Sequence, residues 1–177
     1  DVPWLSYMNT LVALIDETAR HKAANGFALA APDGFALHVP GNPDAPEVGT
    51  NDAAEEPALD LPNAERAGAQ AGLGIYREWL AIINRPASTR GLPAFITSTN
   101  TFAGGEAGVV PAQGYPEGWL STALEVVNAE PQLQSLCWFV DRDRSGDGQW
   151  APFSFSGGSG QLLKAAEEFD ALLQRAP

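Results

Sequence analysis

Three short apolar runs, within "DGFALHVPG" (33–41), "LPAFITSTN" (92–100) and "LCWFV" (136–140), are separated by longer stretches whose apolar residues recur at helical spacing. That alternation constrains the fold most. Strands set apart by helices read as parallel strands joined by crossover connections. The helical stretches fall at about 4–24 (Leu5, Met8, Leu11, Val12, Ile15), 70–84 (Ile75, Trp79, Ile82, Ile83), 117–130 (Trp119, Leu120, Ala123, Leu124, Val127) and 160–175 (Leu162, Leu163, Ala166, Phe169, Leu172, Leu173). Helical periodicity places each set on one face. The expected fold class is α/β, with about three parallel strands near 34–39, 92–98 and 135–140, and four helices. "PAFIT" and "LCWFV" do not alternate with polar residues, which predicts strands covered on both faces.

A chain of 177 residues suits a single domain spanning 1–177. Residues 40–72, rich in Pro, Ala, Asn and acids, predict a long loop. With 22 acidic against 10 basic side chains and a net charge of −12, the surface repels nucleic acid and anionic membrane. No apolar run approaches the roughly 20 residues of a membrane span, and the N-terminus has no signal-peptide pattern. Cys137, alone in an apolar run, predicts a buried small hydrophobe and excludes an internal disulfide.

Polar residues gather just after each strand: His38, then Ser98 to Asn100, then Asp141 to Asp147. These are carboxyl ends, where parallel α/β folds place their sites. Asp141, Asp143, Ser145 and Asp147 alternate around Gly146, like the first half of a calcium loop. The twelfth position is Pro152 rather than a bidentate Glu, and Arg142 and Arg144 sit between the acids. The pattern therefore predicts an Asp/Gly turn with Asp–Arg pairing, or at most weak calcium binding. Ser98 lacks a G-x-S-x-G elbow and so predicts a strand-end hydroxyl rather than a hydrolase serine. "SGGSG" (156–160) reads as a natural loop before the last helix.

"DGFALHVPG", "YREWLAII" (76–83), "LPAFITSTN", "GWLSTALEVVN" (118–128) and "LCWFVDRDRSGDGQW" (136–150), in this order, resemble the last three βα units of a (β/α)8-barrel glycoside hydrolase of the retaining, two-glutamate superfamily. The resemblance implies a partial barrel and a sugar site at the strand ends. His38 would match the His-bearing end of that family's sixth strand. "LPAFITSTN" would match its seventh, which commonly reads like "LPVYITETN", the Glu being the nucleophile. Trp138 would stand for the aromatic of its eighth.

Two departures bear on activity. Ser98 occupies the nucleophile position, and nothing before residue 34 supplies the strand that carries the acid/base Glu. Retaining hydrolysis uses two carboxyl groups about 5–5.5 Å apart. A serine with no adjacent base is a poor nucleophile. The resemblance thus implies a glycoside-hydrolase-like module, inactive on its own, that keeps carbohydrate binding through His38, Asn100, Trp138 and Trp150. The alternative is an assembly protein using the scaffold for protein–protein packing, since three parallel strands leave open edges to be met by self-association or a complementary chain. An enzyme using Glu106 or Glu117 is a third expectation.

Overall fold

The computed structural model describes residues 4–27, 31–39, 72–101, 111–156 and 160–175. The expected loop 40–72 and Glu106 lie outside the described residues, apart from Gly72. The elements are α1 (Trp4–Ala24), β1 (Phe35–His38), a 3-10 turn (Gly72–Ile75) leading into α2 (Tyr76–Ile83), β2 (Ala94–Thr99), a one-turn α3 (Pro111–Gly114), α4 (Trp119–Ala129), β3 (Leu133–Trp138), β4 (Val140–Arg142), a 3-10 turn (Ala151–Phe153), β5 (Ser154–Ser156) and α5 (Leu162–Arg175). Among the described residues, no helix is long and apolar enough to cross a membrane.

The main sheet has the order β1-β2-β3, and both pairings are parallel. Neighbouring strands are thus consecutive in sequence, as in successive βα units. The α/β class with parallel strands stands. The expected loop after β3, however, holds a second parallel pair, β4 with β5. Val140–Arg142 and Ser154–Ser156 are three-residue strands, too short to show a periodic signal in sequence.

Burial alternates along the central strand, and this corrects the expectation of strands covered on both faces. Ala94 and Ile96 are buried, with Leu37 beside Ile96 on β1 and Leu133 beside Ala94 on β3. They pack in one cluster with Met8 and Val12 of α1, Leu80 and Ile83 of α2, and Leu120, Ala123 and Val127 of α4. On the other face Ala36, His38, Thr97, Cys137 and Phe95 (38% exposed) reach solvent. Leu136 pairs with Ile96 on the core side, so the next residue, Cys137, points outward. Its exposure overturns the expectation of a buried thiol.

The amino end of the sheet is held by an amide clamp. Asn84, the C-cap of α2, donates to Gln132 Oε1 (2.9 Å) and accepts from Gly91 N (2.8 Å), while Gln132 Nε2 donates to the Leu92 carbonyl (2.8 Å). Gly34 is fixed by close approach, since a Cβ there would stand 2.6 Å from the Pro93 carbonyl oxygen.

Of the "SGGSG" stretch before α5, residues 157–159 lie outside the described residues, and Gly160 is held by close packing. Gly160 has φ +61°, a Cβ on it would lie 2.3 Å from the Ala112 carbonyl oxygen, and Gln161 N donates to that oxygen (3.0 Å). Gly160→Ala should cost about 1–3 kcal/mol, from left-handed strain and displacement of α3. Urea unfolding monitored by far-UV circular dichroism checks this; an unchanged midpoint would contradict the close packing.

Candidate functional site

A cavity of about 290 Å³ opens at the carboxyl ends of β1, β2 and β3, lined by His38, Val39, Ser98, Asn100, Phe139, Trp150 and Phe153. His38 and Ser98 are register partners on adjacent strands. The chain bends there: the β1–β2 register shifts between Leu37 and His38, and the β2–β3 register shifts between Ile96 and Thr99. These irregularities re-aim side chains at the strand ends. Ser98 turns into the cavity, while Thr99 is fully buried beside Trp138; neither Thr99 nor Thr101 lines the cavity. Asn100 is buried at the cavity wall. Val39 N–H donates to the Ser98 carbonyl (2.9 Å), which ties the two strand ends together.

Three aromatic rings form the other wall. Phe139 meets Trp150 edge-on (centroids 5.2 Å apart, 77°) and Phe153 likewise (5.9 Å, 86°), and Trp150 and Phe153 stand 5.9 Å apart. Such geometries suit ring quadrupoles. Trp150 remains 38% exposed, so the indole keeps a free surface at the mouth.

The acidic loop positions that indole. Asp143 Oδ2 accepts from the backbone N–H of Trp150 (3.2 Å), and Oδ1 accepts from the N–H (2.8 Å) and hydroxyl (2.5 Å) of Ser145. Asp147 Oδ1 accepts from Gln149 N (2.9 Å) and lies 2.5 Å from the same Ser145 hydroxyl, whose single proton is donated to one of the two carboxylates at a time. Gly146 and Gly148, at φ +80° and +75°, close the turns. The Ser145 hydroxyl holds both carboxyls below the usual carboxylate range, with the loop's N–H groups adding to the effect. Asp141 instead accepts from the Ser156 hydroxyl (3.0 Å), linking β4 to β5.

The expected Asp–Arg pairing is absent: among the described residues no ion pair joins Arg142 or Arg144 to these acids. Backbone N–H groups and one hydroxyl satisfy the carboxylates locally, an arrangement short Asp side chains favour in turns. Among the described residues no group of three or more His, Cys, Asp or Glu is gathered as a metal ion would require. A calcium ion on Asp141, Asp143, Ser145 and Asp147 would have to displace the serine hydroxyl from between Asp143 and Asp147.

Of the four residues expected to contact sugar, the structure brings His38, Asn100 and Trp150 together and leaves out Trp138. Trp138 lies on the core side. It stacks on Phe155 (4.7 Å, 18°), meets Tyr115 and Trp119 edge-on, and donates Nε1–H to the Phe153 carbonyl (2.8 Å). Phe139 and Phe153 were not expected in the site. Their only sequence signal is that each lies within a few residues of Trp138 or Trp150 in a strand-end segment.

Among the described residues, no carboxylate, lysine or arginine lines the cavity. Glu117, one of the alternative acids, is on the surface and paired with Lys164 (2.6 Å), which lowers its pKa. Among the described residues no hydrogen bond joins Ser98 Oγ to His38. The arrangement can offer hydrogen bonds and aromatic faces to an uncharged ligand. No protein-family model, curated protein or solved structure matches the chain.

Proposed function

We propose that the chain is a glycoside-hydrolase-like module that binds neutral carbohydrate at the carboxyl ends of its strands and does not hydrolyse it alone. The observation that carries this reading is the joining of His38, Ser98 and Asn100 with the aromatic wall Phe139–Trp150–Phe153 around one cavity. Pyranose rings present C–H faces to aromatic rings and hydroxyls to amide, imidazole and hydroxyl groups. A lining whose described residues hold no carboxylate, lysine or arginine selects against ionised sugars, because an ion would lose hydration without a partner. The volume lies at the lower end of the ~300–1,000 Å³ range of small-molecule sites, which suits one sugar residue rather than a long chain.

Hydrolysis with retention needs a carboxylate nucleophile and a carboxyl acid/base. Among the described residues the lining supplies neither, and no hydrogen bond ties the Ser98 hydroxyl to a base that would activate it. The reading requires no cofactor. Weak calcium binding by Asp141, Asp143, Ser145 and Asp147 would act on the same loop, by holding Trp150 in place.

Titration with neutral mono- and oligosaccharides, followed by tryptophan emission, tests the proposal. A saturable change that Trp150→Phe reduces by about tenfold or more supports it; release of product from aryl glycosides by the purified chain would refute the inactive reading. A second reading, a scaffold for protein–protein packing, is favoured by the solvent-facing side of the sheet, where Ala36, Phe95, Thr97 and Cys137 form an uncharged surface.

A further inference from the structure

Helix α1 has two occupied flanks and one free one. Met8, Val12 and Ala19 are buried in the core. On the side toward α2 and the turn after it, Asn9 Oδ1 accepts from Arg85 Nη1 (2.5 Å) and Asp16 Oδ1 accepts from the Ser88 hydroxyl (2.7 Å). At about 100° per residue, Tyr7, Leu11 and Leu14 fall within about 60° of one another, on the flank turned away from Asn9 and Asp16. They are 59%, 37% and 55% exposed.

Because α1 packs on α2 while the sheet runs β1-β2-β3, this flank faces outward on the β1 side. There β1 also has no strand partner beyond β2 among the described residues. From Trp4 to Ile15 the helix carries no charged side chain, in a chain with net charge −12.

We propose that this flank is a self-association surface, occupied by a second copy of the chain. The two α1 helices pack antiparallel about a twofold axis, each Leu11 against the partner's Leu11 and each Tyr7 against the partner's Leu14. Two observations favour a second copy. Spacings of four and three residues on either side of Leu11 make the stripe complementary to itself under a twofold operation, the commonest symmetry of homo-oligomers. Two molecules of net charge −12 repel on most approaches, whereas this one brings uncharged halves together and leaves Asp16, Glu17, Arg20 and Lys22 outside the contact.

One helix pair falls short of the roughly 1,200 Å² of a stable interface. The dimer is therefore weak, with a dissociation constant of about 10–100 μM. This surface is separate from the cavity and does not rest on the carbohydrate reading.

Sedimentation equilibrium over a concentration series is the test. The wild-type chain should show a monomer–dimer equilibrium, weakened about tenfold or more by Leu11→Glu and by Leu14→Glu. Leu163→Glu, on an exposed position of α5, should leave it unchanged. In a Cys137→Ser background, Leu11→Cys should oxidise to a covalent dimer and restore association by a route independent of the glutamate variants. A chain that stays monomeric to about 1 mM would overturn the proposal. So would association that Leu11→Glu and Leu14→Glu leave intact, or a Leu11→Cys chain that oxidises without dimerising.

Discussion

Replacing Trp138 with alanine should destabilise the protein by about 3–5 kcal/mol, the range for deleting a large aromatic from a core. The indole stacks on Phe155, meets Tyr115 and Trp119 edge-on, and bonds the Phe153 carbonyl. Its loss opens a cavity among those rings and removes the indole's hydrogen bond to the 3-10 turn. Trp138→Phe should cost less, about 1–2 kcal/mol, because a ring remains while the hydrogen bond is lost. Urea unfolding read by circular dichroism gives both values. A cost below about 1 kcal/mol for Trp138→Ala, accompanied by loss of sugar binding, would return Trp138 to the site and contradict its placement.

Removing Glu168 should have an effect of similar size. Glu168 reaches from α5 to the start of α4, where Gly118, in a left-handed conformation, supplies no side-chain cap. Glu168 Oε1 accepts from Ser121 N (2.7 Å), and Oε2 accepts from Gly118 N (3.3 Å) and from the hydroxyl of Tyr115. The Tyr115 hydroxyl in turn accepts from Leu120 N (2.9 Å). A distant carboxylate thus serves the otherwise free N–H groups of a helix N-terminus, with favourable charge for the helix dipole. Hydrogen bonds to charged groups contribute about 1.5–3 kcal/mol each, and partial exposure lets water replace some of them. Glu168→Ala should therefore cost about 2–4 kcal/mol in total, measurable by thermal and urea unfolding.

The same network gives a pH dependence. Burial first, then the Glu168 hydrogen bond, raises the Tyr115 pKa far above its ordinary value of 10.0. Folding therefore favours the protonated phenol. Its contribution is complete below about pH 10 and is lost as pH rises above that, because the unfolded chain releases the proton first. Tyr115→Phe should lower stability at neutral pH and flatten the decline between about pH 10 and 12. A decline of undiminished slope in the variant would assign alkaline unfolding to other groups.

Much of the scaffold was legible because apolar periodicity is a strong signal over long segments. The helix expected at 4–24 is α1 at Trp4–Ala24, and "PAFIT" and "LCWFV" both contribute to strands of one parallel sheet. Other features turn on register, which periodicity does not carry. Whether Trp138 faces the core or the mouth depends on the irregularity between Ile96 and Thr99. The free flank of α1 was hidden because Leu11 keeps helical spacing with Met8 and Val12, yet lies just outside the buried arc. The Asp–Ser–Gly loop was legible as a turn. Its service to Trp150 was not, since that depends on one long-range contact between the Asp143 carboxylate and a backbone N–H seven residues on.

Ser98, between two threonines, stands where the resemblance would place a nucleophilic carboxylate, and it lines a cavity around which the described residues place none. On the proposed reading, this mouth recognises neutral sugar without cleaving it. Isothermal titration calorimetry of neutral oligosaccharides, on the wild-type chain and on Trp150→Ala, tests it most directly. The wild type should bind saturably and one-to-one, the variant should lose affinity by about tenfold or more with its unfolding midpoint unchanged, and the ligand should be recovered intact afterwards. Absence of heat across the panel, or binding that survives Trp150→Ala undiminished, would contradict it.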